Sequence, residues 1–199
     1  MPRPHPRALL FDMDGVLYNA EEPIAGAAEA LRWIQKQQIP YLFVTNTTSR
    51  GREVLVEKLA RFGIAATTDQ ILTPCLTATA WIRSKSPGKV ALFVRPAARA
   101  DFDGLPALAD DAETGAAYVV IGDLGELWDY PTLNRAFRLL HHNPAARLIA
   151  LGMTRYWQAP HGLSLGGAVC RRLGIRDRPE SRRAGEALGG VPSTTRRIV

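Results

Sequence analysis

The chain has 199 residues, 46% of them apolar and 22% charged, with a formal net charge of +6. At this size roughly 70% of the unfolded surface can be buried, and the composition is that of a globular chain, neither disordered nor fibrous. No apolar run approaches the ~20 residues that cross a bilayer, Asp12 and Asp14 break any signal-like stretch behind Arg3 and Arg7, and Cys75 and Cys170 form neither a disulfide framework nor a zinc spacing, so a cytoplasmic protein with no membrane partner is expected.

Ala8 to Phe11 reads as a buried strand running into the turn Asp12-Met13-Asp14-Gly15. Ala27 to Gln37 places Ala30, Leu31, Trp33 and Ile34 at helical spacing, closed by Pro40. Tyr41 to Val44 is a second apolar strand, followed by the polar run Thr45 to Ser49. Ser49 is expected to cap a helix over Arg52 to Arg61, with Val54, Leu55, Lys58 and Leu59 at amphipathic spacing and Gly63 at its end. Strand, helix, strand, helix at these intervals predicts an α/β chain with a parallel sheet.

A third helix, Cys75 to Arg83, precedes the breaker Ser86-Pro87-Gly88, where a second α/β domain begins. Its expected strands are Val90 to Val94, Tyr118 to Ile121 and Leu148 to Leu151, with a helix over Leu133 to Leu140. The division is 1–86, 87–168 and 169–199. The last segment holds 8 of the 25 Lys+Arg but 3 of the 19 Asp+Glu, with no lysine, no aromatic residue and no sustained periodicity. Nearly all the net positive charge lies there.

The carboxyl ends of strands in open α/β sheets are where ligands bind. Asp12 and Asp14 stand at the first such end, and two carboxylates two residues apart suit Mg²⁺ with a substrate phosphate. Gly15 allows the sharp turn that brings backbone N–H groups to an anion. Thr45 and Asn46 stand at the second end, able to donate to phosphate oxygens without adding charge. Separately each segment also reads as an ordinary turn or capping loop; at matched strand ends they favour a site. Gly122-Asp123 reads as a loop of the second domain, His141-His142 as a solvated helix end, Trp157 as either a substrate-facing or a core aromatic, and Cys75 as a small core residue.

Phe11-Asp12-Met13-Asp14-Gly15-Val16 and Val44-Thr45-Asn46-Thr47-Thr48 resemble the first two motifs of the haloacid dehalogenase-like (HAD) phosphatases. The order of Val119 to Asp123, Tyr130 to Leu140, Arg155-Tyr156-Trp157 and His161 to Leu165 is similar to the subgroup with a large α/β cap inserted after the second motif, covering about residues 7 to 168. The resemblance implies a Rossmann-like parallel-sheet core with an inserted cap, and a Mg²⁺-dependent phosphatase acting on small phosphate esters, phosphoramidates or pyrophosphate. It makes Asp12 the nucleophile and Asp14 the general acid/base, with both binding Mg²⁺, and Thr45 and Asn46 the phosphate holders.

The family's later Gly-Lys-Pro lysine and acidic Gly-Asp-Asp motif are absent: the lysines are Lys36, Lys58, Lys85 and Lys89, and the acids beyond Ala168 are Asp177, Glu180 and Glu186. Read one base out of frame, codons for Val169 to Arg178 can spell a cap-helix sequence of the family, so a frameshift-like, non-native tail and a missing C-terminal half of the core are expected. Weak or no activity follows, as does self-association through an unpaired first strand. A non-catalytic interaction protein and a basic-tail nucleic-acid binder are the competing readings, discriminated by salt-dependent DNA binding that requires 169–199.

Overall fold

A computed structural model describes residues 7–154 together with the backbone of two short strands, 156–159 and 162–165. The segment 169–199, with everything expected of it, lies outside the described residues, as do Arg155 and His161. The chain is α/β, and two separate parallel sheets organise it.

The first sheet has the order β1 (Leu9–Asp12), β4 (Tyr41–Val44), β5 (Ile71–Leu72), all parallel. A small antiparallel hairpin, β2 (Tyr18–Asn19) and β3 (Glu22–Pro23), follows the Asp12–Gly15 turn. Helices α1 (Ala27–Lys36) and α2 (Arg52–Arg61) make the two crossovers. Both crossovers run the same way along the sheet, so a uniform right-handed twist puts both helices on one face. Leu31, Ile34, Leu55 and Leu59 there bury against Phe43, with Leu9, Phe11 and Tyr41 partly covered.

Three expectations are corrected, the first two by this one-sided packing. β1 is not buried on both faces: Leu10 is 68% exposed, beside its register partner Leu42. Trp33 and Ala30 also point out from α1, because Leu31 and Ile34 take the sheet-facing positions. Ser49 does not cap α2. The N-cap is Gly51, without any side-chain cap, and it is held where a Cβ would lie 2.2 Å from the carbonyl oxygen of Ala97.

The second sheet has the order β6 (Val90–Phe93), β7 (Tyr118–Ile121), β8 (Arg147–Ala150), again parallel. Its central strand is buried on every residue, as expected for a parallel strand covered on both sides. One side is covered by α4 (Tyr130–His141), through Ala136 and Leu139. The other is covered by α3 (Pro74–Arg83), whose Cys75, Ala78 and Ile82 share a cluster with Val90, Val120 and Ile149. A division at 86 therefore leaves α3 in the first segment while its apolar side packs on the second sheet. Asp129 caps α4 by accepting from Thr132 N–H at 2.8 Å, which starts the helix three residues before the sequence pattern does. The strands β9 (Tyr156–Ala159) and β10 (Gly162–Leu165) form an antiparallel hairpin carrying Trp157 on β9.

Candidate active site

The parallel register sets Asp12 opposite Val44, so the two strands release their following residues side by side. Asp12, Met13 and Asp14 leave β1 next to Thr45 and Asn46 leaving β4. Thr45 is held at its strand end by its own N–H donating to the Leu72 carbonyl at 3.1 Å. The four expected residues are thus brought together at the carboxyl end of the first sheet.

The turn after Asp12 is built from the backbone. Met13 is fully buried and its carbonyl accepts from Leu17 N–H at 2.9 Å, while Gly15, at φ +80°, donates its N–H to the Tyr18 carbonyl at 2.7 Å. A residue with a side chain would be strained there. The result is that the Asp12 and Asp14 side chains are exposed while the residue between them anchors the turn. Exposure spares the two like charges the cost of burial. One Asp12 oxygen, Oδ1, accepts from Met13 N–H at 2.8 Å, leaving the other for a ligand.

Thr45 is buried and its Oγ1 accepts from Thr47 N–H at 3.2 Å, so its own hydroxyl proton remains to donate. Asn46 is exposed. Above Asp14 stands Tyr18, whose phenol is pushed up to about 12, first by burial and then by the charge of Asp14. Lys58, 3% exposed, donates to Glu21 Oε1 at 3.1 Å and to the Ala20 carbonyl, and lies 4.1 Å from the Tyr18 ring centroid. It ties the β2–β3 hairpin down onto α2. With Lys58 as donor, Glu21 is held below the usual carboxylate range.

Gly122-Asp123 lies in the loop directly after β7. Its position adds something unforeseen: Asp123 N–H donates to Thr48 Oγ1 at 3.1 Å. The carboxyl end of the second sheet therefore meets the loop that continues from Thr45 and Asn46. The signal for it was available, since β7 also ends in a glycine and a polar residue, but nothing local says which strand ends face each other. His141 and His142 are exposed at the end of α4 and Cys75 is fully buried, both as read from sequence; His141 also stacks on Phe137.

A family model described as haloacid dehalogenase-like hydrolase matches residues 9–105. Haloacid dehalogenase-like hydrolase domain-containing protein 2 of Mus musculus is 34% identical over 160 residues, 80% of this chain and 58% of that protein. The chain is similar to the haloacid dehalogenase-like hydrolases. Phospholysine phosphohistidine inorganic pyrophosphate phosphatase of Xenopus laevis is 30% identical over 173 residues, covering 84% of this chain and 62% of that one. The chain thus spans about three fifths of the curated HAD relatives it matches. Among solved structures, the p-nitrophenyl phosphatase from Archaeoglobus fulgidus superposes with TM-score 0.78 at 25% identity, over 90% of this chain and 68% of that one. The likeness takes in both sheets. No described helix is long and apolar enough to cross a membrane.

Proposed function

We propose that this chain is built as a Mg²⁺-dependent phosphatase for small phosphorylated compounds, with Asp12 as nucleophile. The observation that carries the reading is the register pair Asp12–Val44, which sets two exposed carboxylates beside Thr45 and Asn46 at adjacent parallel strand ends. The relatives named for phosphatase activity support it.

In this reading Asp12 attacks phosphorus through its oxygen not engaged by Met13 N–H, and the bond from phosphorus to the leaving oxygen breaks as Asp14 delivers a proton to that oxygen. Asp14 then takes a proton from water, which attacks the aspartyl-phosphate and returns Asp12 with release of inorganic phosphate. Thr45 and Asn46 donate hydrogen bonds to the phosphoryl oxygens and fix their orientation. The donor set suits Mg²⁺, a hard cation that is commonly held by one or two carboxylates plus substrate phosphate and keeps several waters. Among the described residues no cluster of three or more His, Cys, Asp or Glu offers a fuller cage. Asp12 and Asp14 would hold the ion, which when bound supplies positive charge against the transferring phosphoryl group.

The division into core and cap near residue 86, with α3 carrying the cap sheet, and a cytoplasmic location belong to the same proposal. So does weak activity of these 199 residues taken by themselves: they hold no lysine beyond Lys89, and one preorganised charged donor is typically worth ~10²–10³ in rate. Release of aryl alcohol from p-nitrophenyl phosphate tests this. Slow, Mg²⁺-dependent turnover that Asp12→Asn removes is expected; turnover indifferent to Asp12→Asn would overturn it.

A further inference from the structure

Arg95 is a cation without an assigned task. It follows β6 and precedes the 3-10 segment Pro96–Phe102. Its Nε is buried and has no hydrogen-bond partner among the described residues. Neighbouring arginines are matched, Arg52 with Asp101 and Arg99 with Asp110, whereas no described ion pair includes Arg95. A buried N–H on a charged group left without an acceptor bears its full desolvation cost, and native structures keep such groups for a reason.

The turn at Gly125 holds the side chain. Its Nη2 lies 2.0 Å from where a Cβ on Gly125 would be, so the guanidinium fills the space that glycine leaves. The same turn, Gly122 to Gly125, reaches the first sheet through Asp123 N–H and Thr48 Oγ1, 3.1 Å apart. On the other side, the Ala97 carbonyl presses on Gly51. Both segments around Arg95 therefore abut residues 48–51, the continuation of Thr45 and Asn46. An arginine presents a planar fork of donors that carboxylate and phosphate accept in pairs.

We infer that Arg95 is a specificity-determining residue that receives a second anionic group, carboxylate or phosphate, on the substrate whose phosphoryl group sits at Thr45 and Asn46. The substrate class is then a small phosphate ester bearing a further oxyanion. This rests on the phosphatase reading above. Calorimetric binding in Mg²⁺ of methylphosphonate, 3-phosphonopropionate and propylene-1,3-bisphosphonate to the full chain separates the two. At least one doubly anionic probe is expected to bind about tenfold or more tighter than methylphosphonate, a difference of about 1.4 kcal/mol. Which probe gains distinguishes a carboxylate from a phosphate partner. Arg95→Gln should erase the gain and leave methylphosphonate unchanged, Arg95→Lys should keep part of it, and Thr45→Val should weaken all three. Unchanged melting of Arg95→Gln keeps the comparison free of misfolding, and Arg95→Lys is the reserve variant if it melts early. Binding of methylphosphonate with no gain, or a gain that survives Arg95→Gln, overturns the inference alone. Binding of none overturns the phosphatase reading and takes this inference with it.

Discussion

Lys58 is the residue on which the hairpin over Asp14 depends. Its ammonium is buried, donates to the Ala20 carbonyl and to Glu21, and covers the Tyr18 ring. Lys58→Ala removes the stem as well as the charge and leaves the Ala20 carbonyl without that donor, so a loss of about 2–4 kcal/mol is expected in urea unfolding. The pair is also sensitive to acid. Glu21 is held below its ordinary value, chiefly by the Lys58 hydrogen bond, so its contribution is present above the range where free carboxylates titrate and fades as pH falls through the lower range of the folded group. The stability gap between the parent chain and Glu21→Gln should therefore shrink on acidification; a gap that widens would contradict the tether. Cys75 behaves in the opposite sense. Burial, reinforced by the charge of Asp101, pushes its thiol up to about 12. Peptide mapping after alkylation at pH 8 should find Cys75 unmodified in the folded chain and modified in denaturant.

Between elements, Asp101 is the fastener. Its carboxylate, 4% exposed, accepts from Arg52 Nε at 2.8 Å and from Thr73 Oγ1 at 3.0 Å. Arg52 begins α2 and Thr73 caps α3, so one buried group fixes both helix starts to the 3-10 segment after β6. Removing one partner of a buried pair costs about 3–5 kcal/mol. Asp101→Ala should lose that much in thermal or urea unfolding, with Asp101→Asn less affected because it keeps the shape and one acceptor. Gly51 is the packing counterpart, since a Cβ there has no room beside Ala97. The strands and helices around these contacts were legible in the sequence because burial on one face writes a period into it: β1, β4, α1 and α2 all fall where the pattern puts them. The contacts themselves were not. Asp101 and Thr73 look like loop residues until the fold brings 28 positions of separation to a single hydrogen bond. Likewise Ser49 has the right chemistry for a cap, yet the available space selected Gly51.

At the scale of the molecule, the face of the first sheet left open among the described residues bears on its solution behaviour. Leu10 and Leu42 lie side by side and exposed, and β1 pairs on one edge alone among the described residues. An uncovered parallel sheet with an unpaired edge strand invites pairing with another copy. Light scattering after size exclusion should show concentration-dependent self-association that Leu10→Lys with Leu42→Thr reduces; a monomer at all concentrations would contradict this. The sequence reading anticipated the edge but not the face, because Leu10 reads as core until its neighbours are known. The candidate site was legible for a different reason. Asp12, Asp14, Thr45 and Asn46 carry chemistry at strand ends, which a single chain reveals, whereas Thr48, Arg95 and Asp123 enter only through the meeting of two sheets.

The most direct measurement of the central proposal is chemical trapping at Asp12. The chain is incubated with Mg²⁺ and p-nitrophenyl phosphate, reduced with borohydride, and mapped by peptide mass spectrometry. An aspartyl-phosphate is an acyl phosphate, so reduction should convert the Asp12 side chain to the alcohol, only with substrate and Mg²⁺ present, and more fully in Asp14→Asn, where hydrolysis of the intermediate is slowed. Phosphate release with Asp12 left unreduced, or reduction at another carboxylate, would contradict the account.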